Sequence, residues 1–203
     1  NTLKIGRLML VEYTIISAIK SKIFDKIYLS SDDEKILNLS KKYKKIKFVK
    51  RPKKLSGDYI KNIDVLNFYI KKLNIKKNYN YLALLLPTCP FRNYKHIQLG
   101  LKILIKNKKV DTVLSAYKTG LPIKFALKKK GDYIVPFFNN SPLIKNKTRS
   151  QNQEQAFFPN GGFWMSKTKR FLKNKSFYRG NIKMIEMSKQ ESVDIDDLFD
   201  LNL

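Results

Sequence analysis

The chain has 203 residues, 43% hydrophobic and 12% aromatic, with 8 Gly and 7 Pro, which suits one α/β domain with a packed core and excludes a fibrous or disordered protein. Its net charge of +26 comes from 42 Lys and Arg against 16 Asp and Glu, but the only Arg are residues 7, 51, 92, 149, 170 and 179 and the Lys are dispersed from Lys4 to Lys189, a pattern that argues against a nucleic-acid reader and fits a field for small anions. One cysteine, Cys89, excludes an internal disulfide, one histidine, His96, excludes any site that needs two, and no apolar run approaches the ~20 residues of a membrane span, so a soluble cytoplasmic protein is expected.

The apolar stretch 8–11 after Arg7 imitates the start of a signal peptide until Glu12 interrupts it. A helix over about 11–22 is predicted to bury Val11, Ile15, Ala18 and Ile19. A strand at 26–31, a helix near 34–43 and a short strand at 46–50 follow. Arg51-Pro52 stops that strand and opens a polar loop through Asp58. In the next helix, 60–73, Ile63, Leu66, Ile70 and Leu73 recur at helical spacing. The strand 81–86 is continuously apolar, as a strand buried on both faces must be, and Pro87 ends it. Helix 94–107 and strand 112–116 complete another unit. The regular alternation then breaks at a long excursion, 117–158, with a hairpin (124–130 and 133–137 around Gly131-Asp132) and a polar stretch, 139–155. The chain returns through 156–166, a short helix at 169–173 and a strand at 182–187. This order predicts a three-layer, Rossmann-like α/β fold with a mostly parallel sheet.

Ligands of such sheets bind beyond the carboxyl ends of the strands. Three loops there carry chemistry: 30–33, 87–92 and the region around 194–197. In Val193-Asp194-Ile195-Asp196, an extended backbone places both carboxylates on one face, where Mg²⁺ would relieve their repulsion. The plainer reading is a solvated acidic turn. Pro87-Thr88-Cys89-Pro90-Phe91-Arg92 is either a rigid platform presenting Thr88 and Arg92 or a turn in which Arg92 caps carbonyls. Cys89 reads as a small buried residue and His96 as structural. Asn160-Gly161-Gly162 suggests close approach of the backbone to a ligand, or a bulge beside Trp164.

Taken together, these residues resemble cytidylyltransferases of the acylneuraminate type, enzymes that make CMP-sialic acid and related CMP-nonulosonates. The resemblance runs through Tyr13-Thr14-Ile15, Ser30-Ser31-Asp32, Arg51-Pro52, Leu55-Ser56-Gly57-Asp58, Leu85-Leu86-Pro87-Thr88-Cys89-Pro90-Phe91-Arg92, Pro159-Asn160-Gly161 and Ser192-Val193-Asp194-Ile195-Asp196. It implies a nucleotidyltransferase fold of the glycosyltransferase-A-like kind. It also implies a reaction in which the anomeric hydroxyl of an acidic nine-carbon sugar attacks the α-phosphate of CTP and pyrophosphate leaves. By position, Asp194 and Asp196 would hold Mg²⁺ and serve catalysis, while Asn1, Arg51 and Asn62 would lie at the nucleotide. Lys124, Arg149, Leu86 and Asn160 would face the sugar, with Lys124 and Arg149 meeting its carboxylate. The excursion 117–158 would clasp a second subunit, giving a homodimer with no nucleic acid or membrane partner. The product would be an activated sugar for surface glycan synthesis, such as lipopolysaccharide or capsule.

The family opens with a strand and a glycine- and lysine-bearing phosphate loop that ends in Lys-Asn, and Asn1 matches that Asn. About twenty residues, a strand plus a loop of ordinary size, are thus expected to lie outside this sequence. Leu86 stands where sialic-acid enzymes carry Gln, and Asn62 where Ser is typical. Both departures bear on which sugar is used. The alternatives are a cytidylyltransferase for another acid sugar, such as 3-deoxy-octulosonate, and a non-catalytic binding relative.

Overall fold

The computed structural model describes residues 1–196 and 200. A two-stranded ribbon, β1 (Lys4–Ile5) and β2 (Leu8–Met9), leads into α1 (Leu10–Ser21). The first turn of α1 is closed by Glu12, whose Oε2 accepts from the Met9 backbone N–H at 2.9 Å. Glu12 is buried, and Lys42 and Tyr43 both donate to its Oε1, at 2.7 and 2.6 Å. Next come β3 (Tyr28–Ser31), α2 (Glu34–Leu37) and β4 (Lys47–Lys50). The predicted helix at 34–43 is shorter, because beyond Leu37 the chain tightens into a 3₁₀ turn at Asn38–Lys41. The chain continues through α3 (Asn62–Lys72), α4 (Ile75–Asn78), β5 (Tyr81–Leu84), α5 (Tyr94–Lys106) and β6 (Thr112–Lys118). A hairpin, β7 (Leu127–Lys130) and β8 (Tyr133–Pro136), turns at Gly131, whose φ of 61° suits glycine. The chain returns as β9 (Phe157–Lys167), α6 (Thr168–Asn174) and β10 (Ile182–Glu186).

Four strands form one sheet in the order β10-β6-β9-β5, and β3 pairs with β4 in a separate parallel ribbon. The expected mostly parallel sheet is corrected here to a mixed one. β9 runs antiparallel to both β6 and β5, while β10 is parallel to β6. The reason lies in the connection: β9 follows β6 through the excursion without a crossover helix, so it comes back in the opposite direction.

Alternate residues of β5, with Leu85 just beyond it, show the layers. Tyr81, Ala83 and Leu85 pack with Ile97 and Leu104 of α5 and with Val113, Phe163, Met165 and Ile185. Leu82 and Leu84 join Ile70, Phe171 and Phe177 on the opposite face, under α3 and α6. A Cβ built on Gly100 of α5 would lie 2.8 Å from Phe163, so the absence of a side chain there sets how closely that helix approaches the sheet. A third cluster, Val11, Ile15, Ile36 and Ile46, binds α1 and α2 to the β3–β4 ribbon.

β5 also differs from expectation. It ends at Leu84 and is an edge strand, half-buried for most of its length. Between β5 and β3 lies a mainly apolar cavity of about 330 Å³, walled by α1, α3 and both strands.

Candidate functional site

The loop after β5 is built around Arg92. Two prolines, Pro87 and Pro90, restrict its backbone, and Arg92 turns back beneath it to 1% exposure. Its Nη1 donates to the carbonyls of Leu86 (3.0 Å) and Gly162 (2.7 Å), and its Nη2 to Thr14 Oγ1 (2.5 Å). Ser17 Oγ donates to the Arg92 carbonyl at 2.9 Å, and Thr14 Oγ1 to that of Leu86 at 3.2 Å. One side chain thus fastens α1, the loop and β9 together. Burial pushes the Arg92 pKa down to about 10, which leaves it a cation at neutral pH. The carbonyl-capping reading of Arg92 is the one observed.

Cys89 is fully buried, and burial raises its thiol pKa despite the Arg92 charge nearby, so it is not poised as a nucleophile. His96 lies in the first turn of α5. Its Nδ1 accepts the Asn93 backbone N–H at 3.3 Å, while the Asn93 carboxamide caps the helix at Lys95 N, 2.9 Å away.

The strap that follows β10 brings acid to this loop. Val193 is half-buried and Ile195 is buried, while Asp194 and Asp196 between and after them are exposed. This is the alternation expected of an extended segment. Ile195 N–H donates to the Thr88 carbonyl at 2.8 Å, which joins the strap to the β5 loop. Asp196 N–H donates to Asp200 Oδ2 at 2.9 Å; Asp197 lies outside the described residues.

Gly161 marks the meeting point. At its φ of 72°, a Cβ built there would lie 3.6 Å from Leu86 Cδ1 and 3.8 Å from Asp194 Oδ2. Leu86, β9 and Asp194 therefore converge, and the glycine leaves the space between them open.

Asn160 departs from the expectation that it faces a sugar. It is buried, and its Oδ1 accepts from Ser115 Oγ (2.6 Å) and Gly162 N (3.1 Å). Its Nδ2 donates to Ser192 Oγ at 2.8 Å and to Met187 Sδ at 3.3 Å. With all four positions engaged, the carboxamide brackets β6, β9 and the strap.

Arg51, Asn62 and Leu86 all line the cavity between β3 and β5, together with Thr14 and Ser30. Arg51 Nη2 donates to the Ser30 carbonyl at 2.6 Å, which holds its guanidinium at the end of β3. Asn1 is exposed, and its carbonyl accepts from Val11 N–H at 3.3 Å, beside the same cavity. Lys124 and Arg149 belong to the excursion. Lys124 lines a separate 190 Å³ cleft with Gln153 and Glu154, and its Nζ is 3.8 Å from Glu154 Oε2. Arg149 is exposed and, among the described residues, is not part of that cleft's wall. Within one chain the structure joins the nucleotide candidates to Leu86, and Leu86 to Asp194, but leaves Lys124 and Arg149 apart.

Among the described residues no three His, Cys, Asp or Glu side chains cluster as a metal site. The two exposed carboxylates still fit Mg²⁺, which takes one or two carboxylates and completes its shell with water and substrate phosphates.

A family model described as Cytidylyltransferase matches residues 1–122, well over half of the chain. The chain belongs to the cytidylyltransferase family. Among curated proteins, the chain is 28% identical over 194 residues to an N-acylneuraminate cytidylyltransferase of Escherichia coli, a match that covers 96% of this chain and 44% of that protein. It is 29% identical to a pseudaminic acid cytidylyltransferase of Campylobacter jejuni, covering 95% of this chain and 82% of the relative. The chain thus spans less than half of the first relative and about four fifths of the second. Among solved structures, a CMP:2-keto-3-deoxy-manno-octonic acid synthetase complexed with CTP aligns with TM-score 0.59 at 10% identity, over 92% of this chain and 82% of that one. A 4-diphosphocytidyl-2C-methyl-D-erythritol synthase from Anaerococcus prevotii aligns at 0.63 and 14%, over 98% and 85%. At such identities these two show the shared fold alone. The family match takes in Asn1, Arg51, Asn62 and Leu86, and stops before Lys124, Arg149, Asn160, Asp194 and Asp196.

Sequence reasoning missed Ser115 and Glu191, and gave Ser192 no role of its own. Ser188-Lys189-Gln190-Glu191 has the spacing of a capping box and could have pointed to Glu191.

Proposed function

We propose that this cytidylyltransferase transfers CMP from CTP to the anomeric hydroxyl of a nonulosonic acid, releasing pyrophosphate, as the names of its curated relatives suggest. The observation that carries the reading is Leu86, which belongs at once to the cavity lined by Arg51 and Asn62 and to the convergence with Asp194 around Gly161. A nucleotide held by Arg51 and Asn62 would then present its phosphates toward the acidic strap. Asp194 and Asp196 would hold Mg²⁺, which when bound offsets the charge that builds on phosphoryl oxygens. Their own negative charge would otherwise repel CTP. Leu86 offers the sugar an apolar contact and no hydrogen bond from its side chain, a difference that bears on sugar choice. Lys124 and Arg149 would pair with the sugar carboxylate, brought to the site from a second copy through the excursion. The product would be an activated sugar made in the cytoplasm for a surface glycan.

The test follows pyrophosphate release from CTP and Mg²⁺ with sialic, legionaminic, pseudaminic and 3-deoxy-octulosonic acids offered separately. Release with a nine-carbon acid is the expected result, and release with none of the four would overturn the reading. Asp194→Asn and Asp196→Asn should each lower turnover by about a hundredfold or more without changing the melting temperature, given the weight of transition-state charge stabilisation. Near-normal turnover in both variants would remove the metal assignment.

A further inference from the structure

Glu191 ties the strap between β10 and Asp196 to the body of the protein through several contacts. Its Oε2 accepts from Ser188 N (3.2 Å) and Ser188 Oγ (2.9 Å), closing a turn at the end of β10. Its Oε1 faces the amino end of α5, where Asn93 Nδ2 donates at 3.4 Å and His96 Nε2 stands 3.4 Å away. Because His96 Nδ1 accepts the Asn93 N–H, a neutral ring carries its proton on Nε2, directed at Glu191. The Glu191 carbonyl also accepts from Cys89 Sγ at 3.5 Å. Beyond Glu191, Asn160 Nδ2 donates to Ser192 Oγ and the Ile195 N–H to the Thr88 carbonyl.

We infer that Glu191 is a positioning residue for Asp194 and Asp196, acting by fastening the strap to Asn93 and His96. The inference rests on the metal role proposed for the two aspartates. Two like-charged carboxylates serve one cation only if their backbone keeps both turned the same way against their repulsion. Asp194 follows Glu191 by three residues, so the anchored turn sets where it emerges beside Gly161. Glu191 itself would touch neither substrate nor metal.

The experiment compares the chain with its Glu191→Ala and Glu191→Gln variants, measuring the Mg²⁺ dependence of pyrophosphate release and the amide hydrogen exchange of residues 188–196. Glu191→Ala should raise the half-saturating Mg²⁺ concentration about tenfold and leave kcat at saturating Mg²⁺ within about twofold, as loss of an outer partner of a metal ligand does. Glu191→Gln, which keeps one oxygen to accept from Asn93 and His96, should raise it only about threefold. In Glu191→Ala the Ile195 amide should exchange faster, with core amides unchanged. An unaltered Mg²⁺ requirement, or a kcat loss that Mg²⁺ does not repair, overturns the inference. Should Glu191→Ala fail to fold, the Mg²⁺ requirement of Glu191→Gln decides in the same way. Absence of turnover in the parent chain would defeat the proposed function separately. Ile195 exchange would then still judge the anchor, and unchanged exchange in Glu191→Ala would overturn it.

Discussion

The four-stranded sheet and the excursion interrupting it solve the problem of apolar side chains in opposite ways. Along β6 and β9, Val113 and Phe163 have no exposure and Met165 is 1% exposed, covered by α5. In the excursion, Leu121, Tyr133 and Ile134 are 72%, 78% and 65% exposed, and both strands of the hairpin lie largely in the open. Large apolar side chains are thus sealed in one region and uncovered in the other. The middle of the sheet is covered from within the chain, by α5 on one face and by α3 and α6 on the other. The hairpin presents a surface of the kind that another molecule covers, which agrees with the proposed homodimer.

Three measurements would break or sharpen that contrast. The largest effect should come from Phe163→Ala, which empties a sealed position under Gly100 and should cost about 3–5 kcal/mol in denaturant unfolding. A loss below about 1 kcal/mol would mean that the core is looser than its burial implies. Acid should act next, at the amino end of α5. Burial is the main cause that lowers the His96 pKa from 6.5, with Glu191 opposing and Arg92 assisting. The folded protein therefore binds this proton less readily than the unfolded chain, and stability should decline as pH falls below 6.5. His96→Gln should flatten the stability curve just below that pH, and an unchanged slope would refute the attribution. A further decline belongs to Glu12 and Glu191: hydrogen bonds lower both pKa values from 4.5 against the opposing effect of burial. Their contribution is present above 4.5 and lost as pH falls through the lowered values. The smallest stability effect belongs to the hairpin. Ile134→Asp should change the unfolding free energy by no more than about 0.5 kcal/mol under conditions where the chain is monomeric. The same variant should shift sedimentation toward monomer, and an unshifted distribution would reject the hairpin as the covered face.

The contrast also explains what could be read in advance. Helices α1, α3 and α5 announce themselves because one face of each is buried, and Val11, Ile15, Ile70, Ile97 and Leu104 recur at the matching interval. The hairpin was legible from Gly131-Asp132. Strand direction was not, since an apolar run such as that of β5 reads alike in a parallel or a mixed sheet. The 3₁₀ turn after Leu37 and the early end of β5 depend on local closure that periodicity does not record. At the site, the alternation of Asp194 and Asp196 with Val193 and Ile195 was visible in the letters. The burial of Asn160 was not visible in the letters, because Ser115 and Ser192, distant in sequence, close over it.

The sealed loop after β5 has one more consequence. Cys89 is the chain's only thiol, and it lies beneath the carbonyl of Glu191 with no exposed surface. Separation of the loop from the strap uncovers that side of the thiol, so the rate of alkylation should rise with such separations, with no engineered probe, and a nucleotide that keeps the strap in place should slow it.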